Sequence, residues 1–176
     1  MRIDPAISWT LALSVTLLFG AAALHKLWDW ARFRDVVHNY QLVPQALVPV
    51  VAALAIMFEL GAAFLMVGVS TRPMGGTVAA GLLVAYAMAM AINLARGRTN
   101  LDCGCLGVGK RQAIRWWMVG RNLVIAALAL LGSEAMSARE LTGLDVFTIL
   151  CATVSLALLY TAHGVLGAVL QPRSNA

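Results

Sequence analysis

The sequence predicts an all-α, polytopic membrane helix bundle: about five transmembrane helices plus an interfacial amphipathic segment, in one domain covering residues 1–176. Three observations predict it. The chain is 61% hydrophobic, only 12% charged, and has a mean hydropathy of +0.82, which is too apolar for an ordinary soluble domain. Five runs, Ile7 to Leu27, Ala46 to Gly68, Gly75 to Ala95, Ile114 to Gly132 and Leu144 to Leu170, each approach the roughly 20 residues needed to cross an apolar layer of about 30 Å. Between the first two runs, charges and aromatic rings interleave. No stretch is left for a soluble domain, and the net charge of +5 is explained by loops that meet lipid headgroups, not by nucleic acid.

The first run carries Ala21, Ala22 and Ala23 near its end, as a cleavable leader would. Its start is only weakly basic and its length exceeds a leader's apolar region, so it is expected to be a retained helix. From Lys26 to Tyr40 the chain holds Trp28, Trp30, Phe33 and Tyr40 among charged residues. Such rings bury their bodies and keep polar tips wet, so this segment suits the headgroup layer. Pro44 then breaks the chain before the second run. Val69 to Met74 makes a tight connection punctuated by Pro73 and the glycines Gly75 and Gly76, so the second and third helices are antiparallel neighbours. The loop from Arg96 to Ala113 is the longest polar one inside the bundle. A polar link, Ser133 to Glu140, joins the last two helices.

Five spans put the N-terminus, the second loop and the fourth loop on one side, and the first loop, the 96–113 loop and the C-terminus on the other. The first side counts three basic residues, Arg2, Arg72 and Arg139. The second counts nine, Lys26, Arg32, Arg34, Arg96, Arg98, Lys110, Arg111, Arg115 and Arg173. The excess of basic loop residues places the second side in the cytoplasm.

Charged groups at membrane depth are costly and mark sites by default. His25 and Lys26 end the first helix, Glu59 lies mid-way along the second, Asn93 nearly ends the third, Arg121 and Asn122 enter the fourth, and His163 lies near the end of the fifth. Nearly all fall in the half of the membrane nearer the 96–113 loop. Glu59 and Arg121 differ in depth by only several ångströms at about 1.5 Å per residue, so an ion pair between them is expected. The plainer reading is that these groups glue helices together while Lys26 reaches to the interface. The methionines read as packing, and Cys151 as a buried small hydrophobe.

The chemistry concentrates in Asn100-Leu101-Asp102-Cys103-Gly104-Cys105-Leu106-Gly107. Two thiols one residue apart exchange disulfides by attack of one thiolate and resolution by the other, and Gly104 gives the backbone freedom a small ring requires. Arg98, Lys110 and Arg111 would stabilise a thiolate, and Asp102 would oppose it. Zinc takes at least three protein ligands, whereas the loop offers two thiols and no histidine. Redox chemistry is therefore favoured over metal binding or a structural bridge.

The residues Gly20, His25-Lys26, Tyr40-x-Leu42-x-Pro44, Glu59-Leu60-Gly61, Asn93, Arg96-Gly97 and Asp102-Cys103-Gly104-Cys105-Leu106-Gly107 together resemble the methylamine utilisation MauE family, within the wider DoxX-like membrane proteins. The resemblance covers nearly the whole chain; many relatives carry Phe where Leu106 stands. It implies a multi-pass protein of the inner (cytoplasmic) membrane that helps mature methylamine dehydrogenase, whose small subunit is rich in disulfides and exported to the periplasm. The implied partner is MauD, a membrane-anchored thioredoxin-like protein, exchanging disulfides with Cys103 and Cys105. A membrane quinone is the expected electron acceptor, held by His25, Lys26, Glu59, Arg121 and His163. This role wants the cysteines on the periplasmic side, against the charge rule. A non-catalytic scaffold that recruits the maturation partner, with structural cysteines, is the alternative; a small-molecule transporter accounts for fewer of the polar residues.

Overall fold

The computed structural model describes residues 3–103 and 113–169, with side chains as far as residue 162. Among the described residues six α-helices follow in order: α1 (Pro5–Trp28), α2 (Trp30–Tyr40), α3 (Val48–Val67), α4 (Arg72–Ala95), α5 (Trp116–Gly132) and α6 (Gly143–Val169), with one 3₁₀ turn, Gln45–Leu47, before α3. Four of them, α1, the turn with α3, α4 and α6, are long and apolar enough to cross a membrane; α5, at 17 residues, is shorter. The fourth apolar run, Ile114 to Gly132, therefore begins two residues late as a helix. Ile114 and Arg115 stay outside it because the Ile114 amide donates to the Leu101 carbonyl (3.0 Å) across the neck of the 96–113 loop.

Local chemistry sets the helix starts. Asp4 caps α1 by accepting from the Ala6 amide at 2.8 Å, and Pro5 opens the first turn, where no N–H is needed. Asp29 ends α1 and caps α2, accepting from the Arg32 amide at 3.2 Å. Gln41 ends α2 in the left-handed conformation, φ 49°. α2 is the interfacial segment: Phe33, Trp30 and Val37 pack on Ala23, Ala52 and Ile56, while its charged face stays out.

α1, α3, α4 and α5 share a core built from small residues, Ala12, Ala62, Ala63, Ala79, Ala80, Ala126 and Ala129, with Val15, Phe19, Met66 and Leu83 between them. Lipid tails are as apolar as leucine, so helices associate in a membrane through close packing. Gly75 and Gly76, expected to mark a turn, instead lie inside α4 at helix contacts. A Cβ on Gly75 would stand 2.8 Å from the backbone of Leu65 and Met66. α6 leans mainly on α1 and buries little of itself. Cys151 is exposed on it, not buried, because that face of α6 meets no other helix.

The two ends of the bundle are tied separately. At one end, Ile3 pairs with the 133–142 link (Ile3 N to Ala135 O, 3.0 Å; Ser137 N to Ile3 O, 2.8 Å), and Arg139 donates to both Asp4 and Asp145. Arg139 beside Asp4 holds that carboxyl below its usual range, helped by the Ala6 amide. Arg72, counted from sequence as a loop cation, is 2% exposed at this end. Its Nε donates to the Met66 carbonyl (3.1 Å), its Nη1 to Ser8 Oγ (3.1 Å), and its guanidinium stacks on Trp9 at 4.1 Å. Ser8 in turn donates to the Gly132 carbonyl at 2.8 Å, so one buried arginine joins α1, α4 and α5. The opposite end carries α2 and the cysteine loop, as the five-span count requires.

Candidate functional site

The base of the cysteine loop is clamped from three directions. Asp102 and Ala113 form an antiparallel bridge, next to the Leu101–Ile114 hydrogen bond. Arg32 of α2 donates from Nη2 to Asp102 Oδ2 at 2.9 Å, so the carboxylate expected to oppose a thiolate is paired with a cation. Arg98, expected to support a thiolate, is used elsewhere: it donates to the carbonyls of Asn39 (2.8 Å) and Tyr40 (3.3 Å) and to Asn93 Oδ1 (3.0 Å). These bonds fasten the loop to the C-terminal end of α2.

Cys103 emerges from this clamp half-buried against Met90, Leu94, Ile114 and Met118. It also forms part of the wall of a cavity of about 250 Å³ enclosed by α2, α3 and α4. Its apolar lining includes Phe33, Val37, Ala55, Ala89 and Met90, and the polar groups in its wall include Lys26 and Tyr86. A largely apolar cavity with a few convergent polar groups is the usual form of a small-molecule site.

Lys26 and Glu59 are 6% and 1% exposed and make a direct ion pair. Tyr86 completes it: its hydroxyl donates to Glu59 Oε1 at 2.8 Å and accepts from Lys26 Nζ at 3.2 Å. The ammonium also sits 4.8 Å from the ring centres of both Phe33 and Tyr86, a cation–π arrangement that helps hold a charge out of water. Lys26 thus points inward and does not reach to the membrane surface, because Phe33 of α2 covers the end of α1. Tyr86 is the member that sequence reasoning missed. A lone tyrosine in the run Ala85-Tyr86-Ala87 carries no charge, and only its level beside Glu59 hinted at it.

The expected Glu59–Arg121 pair does not form. α3 packs on α1, α2 and α4, whereas α5 packs on α4 and α1, so equal depth does not bring the two side chains together. Arg121 lies between the rings of Trp117 (5.2 Å) and Tyr160 (4.9 Å), and no described residue accepts a hydrogen bond from its guanidinium. His25, one residue from Lys26, turns aside toward Trp28, with ring centres 6.4 Å apart. Asn93 donates to the Ala89 carbonyl within its own helix as well as receiving Arg98. Of the five residues expected to hold a cofactor, the structure brings Lys26 and Glu59 together and leaves His25 and Arg121 apart. Cys105, Lys110 and Arg111 lie outside the described residues, as does the side chain of His163.

Comparison with known proteins places this site in a family. Residues 4–133, from the N-cap of α1 through α5, match the family description "Methylamine utilisation protein MauE". A methylamine utilization protein MauE of Paracoccus denitrificans is 37% identical over 166 residues, covering 94% of this chain and 89% of the relative. Its counterpart in Methylophilus methylotrophus is 36% identical, covering 90% and 85%, and that of Paracoccus versutus 38% identical, covering 93% and 89%. No solved structure matches. The apolar bundle, the Asp-Cys-Gly-Cys sequence and these matches over nearly the full length agree: the chain belongs to the MauE family of methylamine utilisation proteins.

Proposed function

We propose that this protein is a membrane thiol–disulfide oxidoreductase serving methylamine utilisation. It exchanges disulfides with a thioredoxin-like partner of the MauD type during maturation of the methylamine dehydrogenase small subunit, at the periplasmic face of the inner membrane. The supporting observation is the position of Cys103: one sulfur of the pair sits in the wall of a cavity whose other polar groups include a buried lysine and tyrosine.

Two balanced steps make up the cycle. The partner's dithiol reduces a Cys103–Cys105 disulfide: a thiolate attacks, a mixed disulfide forms, and its resolution leaves the partner oxidised and two thiols on this chain. A membrane quinone then takes two electrons and two protons from those thiols, re-forming the S–S bond and leaving as quinol. The clamp by Arg32 and Arg98 keeps Cys103 against the bundle. Three of the nine basic residues on this side, Lys26, Arg32 and Arg98, have tasks within the protein, which weakens the argument from charge for a cytoplasmic loop.

A scaffold that only recruits the partner is the second reading, favoured by the same clamp at Asp102, which gives a fixed anchor for docking. Replacing Cys103 or Cys105 by serine separates the two. Loss of client disulfides with normal membrane levels of the variant is the oxidoreductase's result; intact client disulfides would leave only the scaffold.

A further inference from the structure

The Lys26–Glu59–Tyr86 trio has hydrogen-bonding capacity to spare. An ammonium has three donors, and two of those on Lys26 go to Glu59 and Tyr86. Glu59 Oε1 accepts from both partners, whereas Oε2, equally buried, has no donor among the described residues. One donor and one acceptor are therefore unspent within a single buried cluster, where unsatisfied groups are costly. The cluster is also neutral as a whole, a lysine cation offset by a glutamate anion.

We propose that the cavity between α2, α3 and α4 takes the head group of a lipid-soluble quinone, with a ring oxygen accepting from the Lys26 ammonium. This rests on the redox reading above for its purpose, but stands on the geometry of the trio for its place. Net neutrality disfavours an anionic lipid or fatty acid, which would put a second carboxylate or a phosphate beside Glu59. A quinone is neutral and flat, offers only acceptors, and meets the spare Lys26 donor. The apolar walls, Phe33, Val37, Ala55, Ala89 and Met90, suit the ring, and Cys103 shares the same cavity. Lys26 is the binding residue here, and Glu59 and Tyr86 are positioning residues that hold its ammonium in place.

Binding of decylubiquinone to the purified full chain in detergent micelles, read by quenching of tryptophan fluorescence, tests the site. The wild type is expected to bind. Lys26→Met combined with Glu59→Leu, which removes the donor together with its counter-ion, should weaken binding about tenfold, the scale of one lost hydrogen bond, and Ala55→Leu, which fills the cavity, should weaken it too. Thermal melting near that of the wild type verifies that both variants are folded. Dodecanoate, with a comparable tail and a charged head, should not displace the quinone. Absent binding, wild-type binding in both variants, or displacement by dodecanoate would each overturn the assignment, the last in favour of an anionic lipid. Cys103→Ser separates this from the thiol chemistry. If wild type binds quinone with the expected dependence on Lys26 and yet bound quinone never oxidises the thiols, the site stands and the oxidoreductase reading falls.

Discussion

Replacing Glu59 by leucine leaves the Lys26 ammonium buried without its counter-ion. Both side chains are nearly inaccessible, at 6% and 1%, so water cannot take over the role of the missing carboxylate. Breaking a buried pair in this way costs about 3–5 kcal/mol, while replacing both charges with apolar groups of similar volume is close to neutral. For a chain of this size each kcal/mol moves the melting temperature by about 2–4 °C, so Glu59→Leu should melt on the order of 10 °C below wild type. Lys26→Met should be similarly damaged, since it strands the carboxylate. The double variant should recover most of the loss, leaving a coupling energy of several kcal/mol in the cycle. Thermal unfolding followed by circular dichroism in one detergent measures all four proteins. If Glu59→Leu melts within about 2 °C of wild type, or if the double variant loses the sum of the two single losses, the buried pair described above does not hold the bundle together. About 2 °C corresponds to no more than roughly 1 kcal/mol on the same scale.

Three further outcomes follow from the packing, the charges and the clamp. Gly75→Ala should cost about 1–3 kcal/mol because its new methyl meets backbone of α3, while Gly81→Ala, with open space around it, should be neutral or stabilising through helix propensity; melting temperatures compare them. Asp4, whose carboxyl is lowered by Arg139 and the Ala6 amide, stabilises the folded state at pH values above its unfolded pKa of about 4, and that contribution disappears as pH falls through the lowered value. The difference in stability between wild type and Asp4→Asn should therefore be present at neutral pH and vanish in acid. In intact cells carrying Cys151→Ser, a membrane-impermeant maleimide should label the reduced cysteine loop; labelling only after the membrane is opened would put the loop in the cytoplasm.

The helices were legible because a membrane span is written in one dimension: every backbone group must be satisfied within the segment, so length and hydropathy suffice. The cysteine motif was legible for the same reason, as polar chemistry in an apolar chain. Azimuth was not. Depth along a helix follows from a fixed rise per residue, and the Lys26–Glu59 pair agrees with it. Which faces meet depends on the packing order of the helices, and that order gives Glu59 to Lys26 and Tyr86 and leaves Arg121 between two aromatic rings. Arg72 was missed through its address: it opens α4 beside a proline, where a surface turn is the ordinary expectation, and only the approach of Ser8, Trp9 and Met66 makes it a buried tie. The same approach turns Gly75 from punctuation into a contact.

The most direct test of the oxidoreductase account is a trapped intermediate. Cys103→Ser and Cys105→Ser variants, each expressed with a thioredoxin-like partner that has lost its own resolving cysteine, are run on non-reducing gels after acid quenching. One of the two should form a mixed disulfide with the partner that collapses on reduction, while the double Cys103→Ser/Cys105→Ser variant forms none. If neither single variant is captured and both still support disulfide formation in the client, the Cys-Gly-Cys loop does not carry the exchange.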